Sequence, residues 1–273
     1  AYEIPKRDWS SDVCSSDLRR AHIYARVMMS MAARRARKVL TVSQASKEDI
    51  LRYLRIPSSK VEVIYNALDE RLAHAPAQED VVRVRERFQL NAPFILYAGN
   101  IKPHKNVDRL IEAFAMVHRR RAEELKLLII GDELSKYPNL RRLVHRFQLH
   151  KHVRFLGFVP DATLAVLYRL AAAFVFPSLY EGFGLPPLEA MASGAPVITS
   201  NVSSLPEVVG DAALLIDPMN PSAIADAILR VLDEPELRAE LARRGTERVK
   251  AFSWARSAAR TLEVYAETAK AAG

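Results

Sequence analysis

Two carboxylates stand eight positions apart in the stretch Glu181-Gly-Phe-Gly-Leu-Pro-Pro-Leu-Glu189, with a glycine-rich turn between them. The apolar run at residues 171–176 before it predicts a buried parallel strand, and Pro186-Pro187 suits the first turn of a helix. A strand, a glycine turn and a helix N-terminus together form a phosphate site, because backbone N–H groups and the positive end of the helix dipole meet the ligand there. A carboxylate beside such a site is suited to accepting hydrogen bonds from hydroxyl groups.

Outward from this stretch, strands and helices alternate from residue 94 onward, which predicts an α/β domain with a doubly wound, six-stranded parallel, Rossmann-like sheet. The predicted strands lie at residues 94–97, 126–130, 153–155, 174–176, 197–199 and 213–216. The predicted helices lie near residues 106–120, 137–148, 161–170, 186–193, 221–233 and 236–250. The usual strand order 3-2-1-4-5-6 makes the first and fourth strands neighbours, so we expect a ligand between the loops at residues 98–105 and 177–185.

Composition excludes several classes of protein. Apolar residues make up 49% of the 273-residue chain, which is ample for a core, and the longest apolar runs have only the length of short strands, so no membrane span is expected. The start of the chain has no signal-peptide pattern, which favours a cytoplasmic protein. The formal charge of +8 comes partly from arginine runs without interleaved aromatic residues, which argues against nucleic acid. Solvated helix faces explain these runs, and peripheral contact with an anionic membrane is the alternative.

The single cysteine, Cys14, excludes an intrachain disulfide and a cysteine-cluster metal site. Its surroundings, Asp12-Val-Cys-Ser-Ser-Asp-Leu18, match one reading frame of a common sequencing-adapter oligonucleotide. We therefore suspect that residues 1–18 contain a non-native leader, an ordinary serine-rich loop being the alternative.

Several stretches, in order and at suitable spacing, resemble the family 4 glycosyltransferases, which are retaining enzymes with the GT-B fold of two Rossmann-like domains. Besides the Glu181–Glu189 stretch, they are Tyr97-Ala-Gly-Asn-Ile-Lys-Pro-His-Lys-Asn106, Leu128-Ile-Ile-Gly-Asp132, Val153-Arg-Phe-Leu-Gly-Phe-Val159 and Gly194-Ala-Pro-Val-Ile-Thr-Ser200. The resemblance implies a C-terminal donor-binding half after a truncated N-terminal domain. The implied divisions are a remnant of the acceptor-side α/β domain at 19–72, a linker at 73–92, the nucleotide-sugar-binding domain at 93–252 and a crossover helix at 253–273. A helix packed on its own domain is the alternative for the last segment.

The resemblance also implies roles for individual residues. Lys105 and Glu181 would be the catalytic pair, with Lys105 on the donor phosphates and Glu181 facing the donor sugar. Since charge builds on the leaving phosphate, a fixed cation there lowers the barrier. Asn106 would cap the next helix. The remaining donor-sugar and phosphate contacts would come from Gly99, Lys102, Phe183, Gly184 and Leu185, the last three through backbone N–H groups.

Glu189 would accept hydrogen bonds from the ribose hydroxyls, and Phe158 and Val159 would line the base pocket. Many relatives carry an arginine soon after the glycine of the first loop, where this chain has Asn100 and Ile101. Either Lys102 takes that role or the second cation is absent. The family's N-terminal histidine near the donor sugar has no counterpart that can be placed in this chain.

The sequence therefore predicts a retaining glycosyltransferase that moves a sugar from a nucleotide-sugar donor, GDP-mannose as a first guess, to a glycan or lipid-linked acceptor in cell-envelope polysaccharide synthesis. A non-catalytic nucleotide-sugar-binding fragment and a sugar-nucleotide epimerase of the same fold are the alternatives. A nicotinamide-binding domain is disfavoured because no Gly-x-Gly-x-x-Gly follows the first strand. No cofactor and no metal are expected, since neither an Asp-x-Asp motif near a strand end nor a histidine cluster with ligand spacing occurs.

Overall fold

The computed structural model describes residues 15–69, 72, 75–121, 123–131 and 137–270. The chain divides into two compact units, one formed by Ala1–Tyr65 with Ala255–Gly273 and the other by Asn66–Trp254. Cys14 and most of the suspected leader lie outside the described residues.

Helices and strands follow one another along the described chain. The helices are α1 (Ser15–Arg35), α2 (Gln44–Leu54), α3 (Gln78–Phe88), α4 (Val107–Arg120), α5 (Pro138–Arg146), α6 (Asp161–Leu170), α7 (Leu185–Ala192), α8 (Leu205–Val209), α9 (Pro221–Asp233), α10 (Pro235–Arg248) and α11 (Trp254–Lys270). The strands are β1 (Val39–Thr41), β2 (Val61–Val63), β3 (Phe94–Ala98), β4 (Lys126–Ile130), β5 (Val153–Gly157), β6 (Ala173–Phe176), β7 (Val197–Ser200) and β8 (Ala213–Ile216). Within the described ranges, no helix is long and apolar enough to cross a membrane.

The second unit is built on a six-stranded sheet with the order β5-β4-β3-β6-β7-β8, and every pairing is parallel. Strands β3, β6 and β7 are buried along their whole length, as expected for a parallel sheet with helices on both faces. The predicted strand order is therefore confirmed. It makes β3 and β6 neighbours, so the loops after these two strands meet at one edge of the sheet.

One helix of the second unit was not predicted from the sequence, and another lies in the segment suggested as a linker. The five-residue helix α8 (Leu205–Val209) was not predicted, because one and a half turns are too short to show helical periodicity. Helix α3 (Gln78–Phe88) lies within the segment suggested as a linker; it packs against α6, and its Val84 and Phe88 side chains are buried.

The first unit pairs β1 with β2 in parallel and packs α2 over a small core of Ala33, Leu54, Ile56 and Val61. Helix α2 begins one residue after Ser43, whose hydroxyl caps the helix by accepting a 3.0 Å hydrogen bond from the Ser46 N–H. The final helix α11 belongs to this unit from Ala255 onward. Its Ser257 hydroxyl donates to the Tyr65 carbonyl at 2.7 Å, and Arg260 lies 3.3 Å from Glu62.

Candidate functional site

An ion pair joins the two loops that follow β3 and β6. Lys105 Nζ lies 2.5 Å from Glu181 Oε1, and each of the two side chains is only 12% exposed. The Lys105 ammonium also lies 5.2 Å from the centroid of the Phe176 ring, at the end of β6. Because both charges are largely withdrawn from water, this pair interacts more strongly than an exposed surface pair does. The structure thus brings together the two residues predicted to be catalytic.

Backbone contacts hold the same two loops in register. The Leu179 N–H donates to the His104 carbonyl at 2.7 Å, and the Ser178 hydroxyl donates to the same oxygen at 3.1 Å.

Burial, reinforced by the neighbouring Lys105 charge, lowers the pKa of the His104 imidazole. The imidazole is therefore biased toward its neutral form, so Lys105 is the cation of this loop that faces Glu181.

Asn106 fastens the start of α4 to two other loops. It adopts the left-handed conformation (φ 61°) and is 1% exposed. Its amide donates to the Pro177 carbonyl at 2.9 Å and to the Pro218 carbonyl at 2.7 Å. Asn106 is the N-cap residue of α4, as predicted, but its side chain makes no capping hydrogen bond, because Oδ1 accepts a 2.9 Å hydrogen bond from Arg109 instead. The side chain fixes the position of the residue next to Lys105 by buried hydrogen bonds to loops far along the chain.

The N-terminus of α7 keeps only two of its usual amide donors. Four N–H groups at a helix start lack an intrahelical partner, and here Pro186 and Pro187 occupy two of those positions. The N–H groups of Gly184 and Leu185 are the two that remain. Gly184 has φ 120°, and a Cβ placed on it would lie 2.9 Å from the Leu205 side chain. Glycine is therefore required at this turn both by the backbone conformation and by the close approach of α8.

A cavity of about 500 Å³ opens beside these loops at the same edge of the sheet. It is lined by Ala98, Gly99, Asn100, Ile130, Gly131, Phe158, Val159, Asp161, Leu164, Tyr168, Pro186 and Glu189. The backbones that follow β3 and β4 approach each other closely here, since a Cβ on Gly131 would lie 2.2 Å from the Gly99 carbonyl oxygen. Among the lining residues, Phe158 is 86% exposed whereas Val159 is buried. The cavity brings together four of the predicted residues: Gly99, Phe158, Val159 and Glu189.

Glu189 is held by a tyrosine that sequence reasoning missed. The fully buried Tyr168 donates its hydroxyl to Glu189 Oε2 at 3.1 Å. Burial raises the pKa of the Glu189 carboxyl, against the opposing effect of the Tyr168 hydrogen bond. With Oε2 engaged by the tyrosine, Oε1 is the carboxylate oxygen better placed to accept a ligand hydroxyl. In the sequence, Tyr168 is noticeable only as a residue with a hydroxyl group on an otherwise apolar helix face. That pattern does not predict which residue its hydroxyl contacts.

The other predicted residues occupy different surroundings. Lys102 is exposed where the turn Pro103–Lys105 begins, and it is not among the residues that line the cavity. The Phe183 ring is buried edge-to-face against Phe252, with 5.7 Å between centroids, so its side chain serves the core. Within the part of the chain that the structure describes, no group of three or more histidine, cysteine or acidic side chains is arranged to hold a metal ion.

The chain matches two glycosyltransferase family models, one in each part of the sequence. Residues 78–248 match the family described as glycosyl transferases group 1, and residues 8–72 match glycosyltransferase family 4. The chain is therefore a member of the group 1 glycosyl transferases, and the resemblance inferred from its motifs is confirmed.

Individual relatives include two bacterial enzymes and one solved structure. The chain is 37% identical over 232 residues to O-antigen chain mannosyltransferase B of Escherichia coli, covering 84% of this chain and 60% of the relative. It is 31% identical to O-antigen chain mannosyltransferase RfbU of Salmonella typhimurium, covering 78% of this chain and 56% of the relative. A sucrose-phosphate synthase from Thermosynechococcus elongatus matches with a TM-score of 0.79 and 27% identity, covering 91% of this chain and 62% of that one. The chain thus spans about three fifths of the length of these proteins.

The two amide hydrogen bonds of Asn106 provide a test of how the loops are held. Asn106→Asp keeps the shape of the side chain but turns a carboxylate toward the Pro177 and Pro218 carbonyl oxygens. We expect a loss of about 3 kcal/mol of stability, because two buried acceptors lose their donor beside a buried charge. The thermal unfolding midpoint measures the loss.

Asn220→Asp is the matched control for this substitution. Asn220 caps α9 by accepting hydrogen bonds from the Ser222 and Ala223 N–H groups, a role that aspartate fills equally well. Equal unfolding midpoints for the two variants would contradict the role given to Asn106.

Proposed function

We propose that this chain carries the donor-binding part of a retaining glycosyltransferase, which moves a sugar from a nucleotide-sugar donor to a glycan or lipid-linked acceptor of a cell-envelope polysaccharide. The observation that carries the proposal is the Lys105–Glu181 ion pair. It sets a cation and a carboxylate side by side where the β3 and β6 loops meet, close to the start of α7. Membership of the group 1 glycosyl transferases supports the same conclusion.

The donor diphosphate would lie between Lys105 and the start of α7. An ammonium group and the N–H groups of Gly184 and Leu185 offer positive charge and hydrogen-bond donors to the phosphate oxygens. Negative charge builds on the departing diphosphate as the bond from the sugar to oxygen breaks. Groups already fixed in position then stabilise that charge without reorganising, which lowers the barrier. Glu181, paired with Lys105, would accept hydrogen bonds from the hydroxyl groups of the donor sugar.

The nucleoside would occupy the cavity lined by Gly99, Val159 and Glu189. Glu189 would bind the ribose hydroxyls through charge-assisted hydrogen bonds, with Tyr168 fixing the orientation of its carboxylate. Phe158 and Val159 would contact the base. The cavity volume of about 500 Å³ falls within the range that small-molecule ligands occupy.

Transfer with retention would follow same-face attack, in which the departing phosphate helps to take the proton of the acceptor hydroxyl. The enzyme then supplies no nucleophile of its own, and we propose that neither a metal nor a cofactor takes part. GDP-mannose remains the proposed donor because the two bacterial relatives compared above are named mannosyltransferases, and an O-antigen-like glycan is the matching acceptor.

Peripheral contact with an anionic membrane belongs to the proposal as well. Helix α1 exposes a set of large apolar side chains beside basic ones, a combination that suits the surface of a bilayer with anionic lipids. The apolar members are Ile23, Tyr24, Val27, Met28, Met29 and Met31.

A thermal-shift panel with GDP, UDP, ADP and TDP tests donor binding. A ligand present at about 100 times its dissociation constant stabilises the folded state by about 2.7 kcal/mol, which is enough to rank the four bases. We expect GDP to give the largest shift. No shift with any of the four would contradict the proposal. Incubation of the preferred nucleotide sugar with a glycan acceptor then separates the transferase from a fragment that only binds, since the latter yields no transfer product.

The raised pKa of Glu189 predicts how nucleotide affinity depends on pH. The ionised carboxylate is a better acceptor for ribose hydroxyls than the protonated carboxyl is. The pKa of Glu189 lies above its ordinary value of 4.5, so nucleotide affinity should fall as the pH is lowered toward that pKa. We expect Glu189→Gln to bind GDP about tenfold more weakly at pH 8, the effect of losing one hydrogen bond to a charged group.

The comparison with Glu189→Gln also removes the titration of the nucleotide phosphate itself, because that titration affects both proteins alike. The ratio of the two dissociation constants, measured by calorimetry, should fall toward one as the pH is lowered from 8 to 5. A ratio close to one already at pH 8 would remove the Glu189 carboxylate from the ribose site.

A further inference from the structure

Two consecutive serines after β7 bind the backbone of the loop that carries Glu181. The Ser203 hydroxyl donates to the Glu181 carbonyl at 2.7 Å and accepts from the Glu181 N–H at 3.1 Å. A single side chain therefore engages both backbone polar groups of the residue predicted to face the donor sugar. We call residues 201–204, which join β7 to α8, the serine turn.

Ser204 extends this contact along the same loop. Its side chain is fully buried, and its hydroxyl lies 2.6 Å from the Phe183 carbonyl oxygen and 3.0 Å from that of Glu181. The next residue, Leu205, approaches Gly184 so closely that a Cβ there would lie 2.9 Å from it. The serine turn and the start of α8 thus contact the loop at three residues, which are Glu181, Phe183 and Gly184.

The backbone of Ser203 shows that this arrangement is held against a conformational preference. Ser203 has φ 59°, in the left-handed region that residues with a side chain rarely adopt. Glycine would take this conformation without cost, but it has no hydroxyl to offer Glu181. A sparsely populated conformation persists where the surrounding contacts hold it in place, and here those contacts converge on Glu181.

We infer that Ser203 and Ser204 are positioning residues, which aim the Glu181 carboxylate by fixing the backbone that bears it. Lys105 is held from the other side by Asn106, so the serines complete the support of the Lys105–Glu181 pair. A shift of the Glu181 backbone would carry its carboxylate away from the sugar hydroxyls, and displacements of about 1 Å in such groups cost large factors in rate. The inference rests on the proposed function, in which Glu181 contacts the donor sugar.

Hydrogen exchange measures the support directly. The Glu181 amide is bonded to the Ser203 hydroxyl, so we expect its exchange to become about tenfold faster in Ser203→Gly, which keeps the backbone conformation but removes the hydroxyl. Ser204→Ala, which keeps its ordinary helical backbone, should also accelerate exchange in the loop, and it serves as the second variant if Ser203→Gly folds poorly.

Ser200→Ala is the matched control. Ser200 ends β7 a few residues earlier, and its buried hydroxyl oxygen has no hydrogen-bond partner among the described residues, so its removal breaks no such contact. Exchange of the Glu181 amide should be unchanged in this variant.

Affinities for GDP and GDP-mannose separate positioning from a general structural role. In Ser203→Gly, which loses a hydroxyl that bonds only to Glu181, we expect the affinity for GDP to stay within about threefold of the wild-type value, because Lys105, Glu189, the start of α7 and the cavity bind it. The affinity for GDP-mannose relative to GDP should fall about tenfold, the effect of one lost hydrogen bond to a charged group. A merely structural role would weaken both ligands together.

Two results would overturn the inference. One is Glu181 amide exchange within about twofold of wild type in both variants, and the other is faster exchange with an unchanged ratio of the two affinities. If the wild-type protein bound neither ligand, the proposed donor would be wrong. The exchange rate of the Glu181 amide would then decide by itself whether the serines hold this backbone, since that measurement needs no ligand.

Discussion

The ion pair between Lys105 and Glu181 is the interaction on which the rest of the site depends. Each residue lies on a loop that follows one of two neighbouring central strands, and the pair bridges those loops with 2.5 Å between Nζ and Oε1. Since both side chains are largely buried, removing either partner would leave a charge without its counterion, which is far more costly than losing the pair as a whole. The surrounding backbone must therefore hold both residues in place.

That requirement explains several local features that otherwise look unrelated. On one loop, Asn106 has a left-handed backbone conformation, and its amide donates to the carbonyls of Pro177 and Pro218. Next to the other loop, Ser203 has the same left-handed conformation, and its hydroxyl donates to the Glu181 carbonyl. Non-glycine residues in this conformation carry a free-energy cost, so their occurrence on both sides of one ion pair indicates where rigidity matters.

The two carboxylates of the Glu181–Glu189 stretch have different environments, and these environments suit the different roles that we propose for them. Glu181 has an ammonium partner, whereas Glu189 has only the hydroxyl of a buried tyrosine and a raised pKa. A carboxylate paired with a cation is held beside the ammonium group that we propose binds the phosphates. A carboxylate without a cation gains most from hydroxyl donors supplied by a ligand, which suits a ribose.

Much of this architecture could be predicted from the sequence, because buried parallel strands are apolar runs and the order of a doubly wound sheet places the loops. The strand order and the meeting of the two loops that carry Lys105 and Glu181 follow from local patterns and topology, whereas the choice of these two residues came from the family resemblance. The roles of Asn106, Tyr168 and Ser203 could not be predicted in this way. Each depends on a hydrogen bond to a residue at least 21 positions away, and no periodicity or spacing records such a partner. The five-residue helix α8 was missed because it is shorter than the period that would reveal it.

The most direct test of the central claim is the calorimetric affinity of GDP and GMP for the wild-type chain and for Lys105→Met. If the lysine binds the terminal phosphate of a nucleoside diphosphate, the variant should lose about tenfold in affinity for GDP and much less for GMP, as expected when one charge-assisted contact disappears. An unchanged preference for GDP over GMP in a variant that folds normally would contradict the account.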